Sequence, residues 1–327
     1  MGEKLIVSHS PHIAGRDTIT KIMADVIIAL IPALIAGCIV FGMRALIVTL
    51  VCVFSCTLSE YIWQKLLKKP NTTGDLSAIV TGMLLAFNLP TSIPLWMAAL
   101  GSVFAIIVVK QFFGGIGHNF MNPALGARAF LLASWALAMT TFYEPGTVLP
   151  LFGSPDAVSS ATPLAAYADG STGFSYLSLF LGTTGGCIGE TSALAILIGA
   201  IYLIIKKVIR IRVPLIFIAT VALGTWLFAG NAGIGSGDPL YQILSGGLML
   251  GACFMATDYT TSPTTPKGQI VFALGCGIIT VLIRVWGGYP EGVSYSILLM
   301  NIATPLIEKV TAPKRYGYVK PKKEAKA

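Results

Sequence analysis

Long apolar runs separated by short polar stretches make up most of the chain. Each run approaches the roughly 17–25 residues that a helix needs to cross a bilayer. The third and fourth runs are shorter and are interrupted by Pro90 and Pro94. The pattern predicts an all-α integral membrane protein of about ten transmembrane helices, at 22–41, 45–63, 76–90, 95–111, 123–142, 190–206, 213–230, 240–257, 268–284 and 292–308.

A spacing that occurs twice indicates an internal repeat. Pro90 precedes Gly114-Gly115 by 24 residues, and Pro263 precedes Gly287-Gly288 by the same 24 residues. Because each half holds five predicted segments, the two halves would enter the membrane from opposite sides, as in the inverted repeats of transporters. We predict five parts of the chain: an N-terminal segment (1–21), a first repeat (22–142), a loop (143–189), a second repeat (190–308) and a basic tail (309–327).

Composition agrees with a membrane protein and argues against nucleic acid as a partner. Hydrophobic residues make up 55% of the chain and charged residues 11%, and the mean hydropathy is +0.79. Soluble domains carry about 25% charged residues. The net charge is +8, but the basic residues lie in short runs between apolar segments, where they set membrane orientation. Membrane lipid, rather than nucleic acid, is the expected surrounding.

The distribution of Lys and Arg predicts which loops face the cytoplasm. If the N-terminus is inside, most basic residues fall on the cytoplasmic side: Lys110 and those near 65–69, 206–212 and 309–326. The polar N-terminus carries no cleavable signal pattern. No Lys or Arg occurs between Arg128 and Lys206. We therefore expect both termini in the cytoplasm and the 143–189 loop outside, together with Glu291.

The cysteines and histidines do not form a recognisable metal site. The six cysteines include no CxxC pair, and we interpret five as small packing residues, leaving Cys187 open. The three histidines are scattered without Cys or carboxylate partners at ligand spacing. We therefore predict no metal ligands.

A glycine-rich stretch, Gly114-Gly-Ile-Gly-His-Asn-Phe-Met-Asn-Pro-Ala-Leu-Gly-Ala-Arg128, joins the fourth and fifth segments. Its Pro and small residues predict a re-entrant loop that leads into a helix N-terminus, although a tight turn with close helix packing also explains them. Arg128 lies inside the apolar helix, where an unpaired charge costs a few kcal/mol. A structural ion pair and a position near a cofactor are equally compatible with it. Asn119 and Asn122 are candidate lining residues of such a pocket.

A second polar run, Thr257-Asp-Tyr-Thr-Thr-Ser-Pro-Thr-Thr-Pro-Lys267, occupies the corresponding place in the second half. It is either a plain cytoplasmic loop or an unwound element that lines a polar cavity. Asp25, Asp75 and Glu190 stand near the ends of other segments, where they are either helix caps or parts of a polar path.

The stretch from Asp156 to Tyr167 is small, polar and interrupted by proline, so we expect an open external loop rather than a buried helix. Asp156-Ala-Val-Ser-Ser-Ala-Thr162 resembles the flavinylation signal, roughly Asp, a small residue, any residue, then Ser/Thr-Gly-Ala-Thr. Ser160 stands where the signal has glycine; Asp156, Ser159 and Ala161 match it. Ser154, Ser159 and Ser160 are competing hydroxyls that the sequence does not exclude.

Together with Ser10-Pro-His12, Asn88-Leu-Pro90, the glycine-rich stretch and the Thr257 run, this signal resembles the RnfD/NqrB family over residues 8–308. The resemblance implies a urea-transporter-like fold and FMN attached to Thr162 through a phosphodiester by a flavin transferase. It also implies a place in the bacterial or archaeal cytoplasmic membrane. A second, non-covalent flavin occurs in some members.

The same resemblance implies a subunit of an Rnf-type ion-translocating oxidoreductase complex. The complex would move electrons between ferredoxin and NAD, coupled to Na⁺ or H⁺, with other membrane, flavin and iron–sulphur subunits as partners. The chain would be incomplete as a catalyst alone, because it has no iron–sulphur ligands and no nucleotide-binding motif. The alternatives are a non-redox channel or carrier, an NqrB-type subunit of a Na⁺-pumping quinone reductase, or a structural scaffold.

Overall fold

A computed structural model describes residues 18–146, 160–171, 173–230, 233–288 and 291–313, and every regular element in these ranges is helical. The helices of the first half are α1 (Ile19–Phe41), α2 (Met43–Leu66), α3 (Ser77–Phe87), α4 (Leu95–Phe104), α5 (Pro123–Ser134) and α6 (Ala136–Thr140). Those that follow are α7 (Pro163–Ala168), α8 (Tyr176–Leu181), α9 (Ala193–Ile205), α10 (Arg212–Phe228), α11 (Pro239–Leu244), α12 (Leu248–Leu250), α13 (Pro266–Trp286) and α14 (Val293–Thr311).

Among the described residues, three helices are long and apolar enough by themselves to cross a membrane: α1, α2 and α13. The other predicted segments contain shorter helices. Two of these continue as π-helical turns, α4 through Ala105–Gln111 and α12 through Gly251–Met255. The prediction of an all-helical protein is confirmed. That all ten segments cross a membrane stays a prediction.

Several predicted boundaries were wrong, and local chemistry explains why. The segment predicted at 240–257 is divided, because α11 ends at Leu244 and Gly246 adopts a left-handed φ of 66° before α12 begins. Such a conformation is open to glycine at little cost. The segment predicted at 190–206 becomes helical only at Ala193, after a buried turn capped by Ser192.

The two halves meet along two antiparallel helix pairs. In the first pair, Tyr202 of α9 donates to the Asp25 carboxylate of α1 over 2.7 Å, and Gly199 packs directly on the Ala29 carbonyl. In the second pair, Arg128 of α5 contacts Ser294 near the start of α14, and the backbone N–H of Asn122 meets the side-chain amide of Asn301 further along it. In both pairs the residue number rises on one helix while it falls on the other.

Inside each half, the packing follows the same scheme. Helices α2 and α4 run side by side in the same direction, as do α10 and α13, in which Gly277 packs on Thr220 and Gly224 on Val281. The following helices, α5 and α14, fold back antiparallel on α4 and α13. Small residues permit these close approaches, which is usual where helices pack in lipid.

The outer surface of these helices is apolar. Ile39 on α1 is 78% exposed and Leu306 on α14 is 69% exposed, and many further Ile, Leu and Val side chains on the long helices are exposed as well. A soluble protein rarely exposes so much contiguous apolar area. This surface suits a lipid environment.

Two charged residues predicted in loops are instead buried. Lys110, predicted in a cytoplasmic loop, lies in the π-helical turn after α4 and is 2% exposed. Glu291, predicted in an external loop, is also buried. Each has an oppositely charged partner inside the protein, which makes the burial of the charge tolerable.

Candidate functional site

Thr162 begins a short helix, contrary to the expectation of an open loop. It is the N-cap of α7, and its Oγ1 accepts a hydrogen bond from the backbone N–H of Ala165 over 3.3 Å. Pro163 occupies the first helical position, where the missing N–H is not needed. The Thr162 side chain is half-buried. Thr162 therefore has a fixed position at the edge of the helical body.

The rest of the flavinylation signal is described only in part. Asp156 and Ser159 lie outside the described residues, whereas Ala161 is exposed. The backbone N–H of Ser160 donates to the Phe142 carbonyl over 2.9 Å. Its buried Oγ has no hydrogen-bond partner and points at Gly185, where an added Cβ would lie only 2.5 Å away.

Thr162 lines a small, partly open cleft with a cavity volume of about 20 Å³. The opposite wall carries Glu190, Thr191 and Glu291, from the turn before α9 and the turn before α14. The Thr191 hydroxyl is buried and has no hydrogen-bond partner. A polar atom in that state usually marks a missing partner, so the cleft has an unused hydrogen-bonding group beside Thr162.

Arg128 bonds two residues of the cleft wall, Glu190 and Glu291. One guanidinium nitrogen, with its two N–H groups, lies within hydrogen-bond distance of three acceptors, on Glu190 at 3.0 Å, Asn88 at 2.9 Å and Ser294 at 2.8 Å. The other donates to the carboxylate of Glu291. These groups come from both halves of the chain and are all buried. Of the two interpretations of Arg128, the structure thus contains the ion pair, and that ion pair is in contact with the wall of the Thr162 cleft.

Three groups that could ligate a metal, Cys187, Glu190 and Glu291, lie together, with ligand atoms within 4.8 Å of one another. The Arg128 guanidinium already bonds both carboxylates. Since a cation fills this place, we assign no metal to it. The expectation that most cysteines pack as small apolar residues is confirmed for the buried Cys52, Cys56, Cys253 and Cys276.

Asn119 and Asn122 lie apart from the Thr162 cleft. Both line another cavity, of about 90 Å³, whose lining includes Asp258 and Tyr259 from the second polar run. Asn122 also caps α5, with its Oδ1 accepting from the N–H of Ala124 over 3.0 Å, as the Asn-Pro pattern predicts. The Oδ1 of Asn119 is buried and unpartnered. The glycine-rich stretch and the Thr257 run therefore meet at one cavity.

Sequence reasoning missed that Glu190 and Glu291 share one arginine. The three residues are far apart in the chain, and nothing in their local patterns links them. The available signal was the presence of single charges beside otherwise apolar segments, since such charges are usually paired with one another.

Comparison with known proteins finds relatives along almost the whole chain. The model of the "NQR2, RnfD, RnfE family" matches residues 6–317. The chain is 56% identical to a subunit of the Na⁺-translocating ferredoxin:NAD⁺ oxidoreductase complex of Acetobacterium woodii, over 99% of this chain and 98% of the relative. It is 46% identical to a subunit of the proton-translocating ferredoxin:NAD⁺ oxidoreductase complex of Clostridium ljungdahlii, over 95% of this chain and 96% of the relative.

A more distant relative agrees with these two. The chain is 38% identical to a subunit of the ion-translocating oxidoreductase complex of Stutzerimonas stutzeri, over 92% of this chain and 93% of the relative. The similarity extends over both halves and the loop between them. This chain belongs to the NQR2, RnfD, RnfE family.

Proposed function

We propose that this chain is a membrane subunit of an Rnf-type ion-translocating oxidoreductase complex and relays electrons through FMN attached to Thr162. Three relatives are named as subunits of ion-translocating oxidoreductase complexes. The observation that carries the cofactor assignment is that Thr162, in the flavinylation-like signal, lines a cleft that contains an unpartnered buried hydroxyl. The other subunits of such a complex, and a flavin transferase, are the partners.

The residues around Thr162 fit a flavin nucleotide. Oγ1 of Thr162 accepts the hydrogen bond that caps α7. After esterification to a phosphate this oxygen would still be able to accept that bond. The buried Thr191 hydroxyl, which has no hydrogen-bond partner, would be available to a polar atom of the flavin. Leu164 also borders a further cavity of about 220 Å³, which is lined by Tyr167 and Arg284, and the Arg284 Nε is buried without a partner. When bound, FMN supplies transfer of electrons singly or in pairs.

The protein's share of the chemistry is to hold and shield that group. Helix α7 fixes the attachment atom, and the Arg128 ion pairs fix the wall opposite it. Buried charges that are already paired keep a constant field at the cleft and resist rearrangement. Arg128 is therefore a positioning residue for the cleft.

The ten-segment inverted repeat is part of the proposal. Helix pairs α1–α9 and α5–α14 are each antiparallel, as an inverted repeat requires of equivalent helices. The shared scheme α2–α4–α5 and α10–α13–α14 supports the same equivalence. In this topology both termini lie in the cytoplasm and Thr162 lies outside, so electrons from cytoplasmic donors cross the membrane to reach it. The ion coupled to this movement is Na⁺ or H⁺.

The cavity near Asn119 is the place we propose for a second, non-covalent flavin. Its walls combine apolar side chains such as Leu84 and Phe254 with the unpartnered Oδ1 of Asn119. A mostly apolar cavity with a few polar groups is the usual form of a cofactor site. Asn119 and Asn122 would then serve this group rather than the flavin on Thr162.

Fluorescence of the denatured polypeptide tests the covalent site. The chain is produced with its flavin transferase and run on a denaturing gel under ultraviolet light. We expect a fluorescent band for the wild type, its complete loss in Thr162→Ala and its retention in Thr162→Ser, which keeps a hydroxyl. Thr265→Ala is the matched control, because Thr265 also caps a helix that starts with proline.

A dark wild-type band would refute the flavin assignment and would favour the channel or scaffold alternatives. A bright band in Thr162→Ala would move the attachment to another hydroxyl, such as Ser160.

Ser160→Gly restores the glycine of the family signal. We expect the fluorescent band to keep its full intensity, because the Ser160 Oγ makes no hydrogen bond that would be lost and an unpartnered buried hydroxyl is unfavourable. The same gel measures this, with band intensity scaled to the amount of protein. A loss of fluorescence in Ser160→Gly, with Thr162 intact, would contradict attachment at Thr162.

A further inference from the structure

Lys110 and Glu60 form a buried ion pair at a distance from the Thr162 cleft. The Lys110 Nζ lies 2.9 Å and 3.0 Å from the two Glu60 oxygens, and the side chains are 2% and 1% exposed. Gln111 donates to the same carboxylate over 2.8 Å. The pair therefore has satisfied hydrogen bonds, as a buried pair requires.

A third hydrogen bond of Lys110 leads out of the pair. Its Nζ donates to the Ser77 hydroxyl over 2.6 Å, and that hydroxyl donates to the Asp75 carboxylate over 2.5 Å. Asp75 is partly exposed. Ser77 and Lys110 also line the cavity of about 90 Å³ whose walls include Asn119 and Asp258. A continuous chain of hydrogen bonds thus connects this cavity with the protein surface.

The backbone is irregular at both ends of this series of hydrogen bonds. Lys110 lies in the π-helical turn after α4, and such turns occur frequently at functional sites. Leu76, between Asp75 and Ser77, has a left-handed φ of 65°. A residue with a side chain as large as leucine rarely adopts that conformation. Strain of this kind persists only where the surrounding structure enforces it.

We propose that Lys110, Ser77 and Asp75 form a proton relay between the cavity near Asn119 and the surface. In the observed polarity, an N–H bond of the Lys110 ammonium breaks and its proton passes to the Ser77 oxygen. The Ser77 O–H proton passes at the same time to the Asp75 carboxylate, which releases it to solvent. Lys110 is recharged by an acidic N–H or O–H group in the cavity. No electron moves in these steps.

The relay would carry away the protons that are released when a reduced cofactor in the cavity is oxidised, as the proposed redox function requires. The inference rests on that function. The titratable groups that surround Lys110 are Glu60 and Cys56 on α2, Asp75 before α3, and Asp258 and Tyr259 across the cavity. Glu60 holds Lys110 in place, and Asp75 is the group that communicates with solvent.

Variants separate a relay from a purely structural ion pair. Ser77→Ala interrupts the chain but leaves Lys110 and Glu60 paired. Lys110→Arg keeps the positive charge beside Glu60, yet a guanidinium does not give up its proton. Thr81→Val is the matched control, because Thr81 lines the same cavity from the same helix face and its hydroxyl bonds only the Ser77 carbonyl among the described residues.

Proton release tests the relay in the intact complex that contains this chain. The complex is reduced, mixed rapidly with ferricyanide in weak buffer, and followed with a pH-sensitive dye. We expect release to slow at least about tenfold in Ser77→Ala and in Lys110→Arg, and to stay within about twofold of wild type in Thr81→Val, given the usual contribution of a positioned proton donor. The gel fluorescence of each preparation is recorded alongside.

The outcomes separate the two proposals. Unchanged release in Ser77→Ala, or release in wild type too small to detect, would overturn the relay, whatever the gel shows. If release is slowed only when the Lys110–Glu60 pair is broken by Lys110→Met, and not in Lys110→Arg or Ser77→Ala, the pair is structural and the relay falls. A dark wild-type band with slowed release in Ser77→Ala would remove the flavin from Thr162 and leave the relay standing.

Discussion

Replacing Arg128 by methionine is expected to lower the free energy of unfolding by about 3–5 kcal/mol, because it leaves the buried carboxylates of Glu190 and Glu291 without their shared partner. The guanidinium also bonds Asn88 and Ser294, so four buried acceptors lose a donor together. Methionine fills much of the volume of arginine, and the loss therefore measures the charge and the hydrogen bonds rather than a cavity.

Thermal unfolding of the purified chain in detergent measures this effect. Arg210→Met is the control, since Arg210 is exposed and its replacement should leave the midpoint unchanged. Adding Glu190→Gln to Arg128→Met should recover part of the loss, because it removes one uncompensated charge. If the Arg128→Met protein unfolds at the wild-type temperature, the Arg128 cluster does not stabilise the contact between the two halves.

Gly199→Ala is expected to weaken the α1–α9 contact by about 3 kcal/mol, at the upper end of the usual cost of overpacking. A Cβ at this position would overlap the carbonyl oxygen of Ala29. Because that oxygen belongs to the backbone, it cannot move aside as the end of a flexible side chain could. The helices would have to separate along their length.

The same unfolding measurement detects the loss, with Gly74→Ala as control, where an added Cβ would meet nothing within 4 Å. The Tyr202–Asp25 hydrogen bond on the same interface offers a second comparison: its removal by Tyr202→Phe should destabilise the protein less than Gly199→Ala does, because it forces no helix apart. Equal effects of Gly199→Ala and Gly74→Ala would contradict the tight packing of α1 on α9.

Hydropathy predicted where most helices lie, because long apolar runs are a local property of the chain. The start of α5 was also predictable, since Asn122 and Pro123 carry the chemistry of a helix N-terminus. The similar Thr-Pro pattern at Thr162 and Pro163 marks the start of α7, but the small polar residues around it are typical of a loop. That composition predicted an open chain where the structure has a helix.

Thr162 was proposed as the attachment site from a local signal, but no local signal predicted its surroundings. The wall of its cleft comes from Glu190 and Glu291, which reach Arg128 only through the packing of both halves. Lys110 was predicted in a loop, since a single lysine after an apolar run ordinarily marks its end. Its partner Glu60 lies on a different helix, and no pattern along the chain connects the two.

Helix α5 extends between the two polar regions of the molecule. Its N-cap residue Asn122 lines the cavity near Asn119, and Arg128 contacts the wall of the Thr162 cleft. At a rise of about 1.5 Å per residue, the stretch between them spans about 9 Å, against roughly 30 Å for the bilayer core. In the proposed topology, with water in both regions, the membrane voltage falls mainly across this short stretch of α5. A charge that passes it would do most of its electrical work there, about 2.3 kcal/mol for each 100 mV.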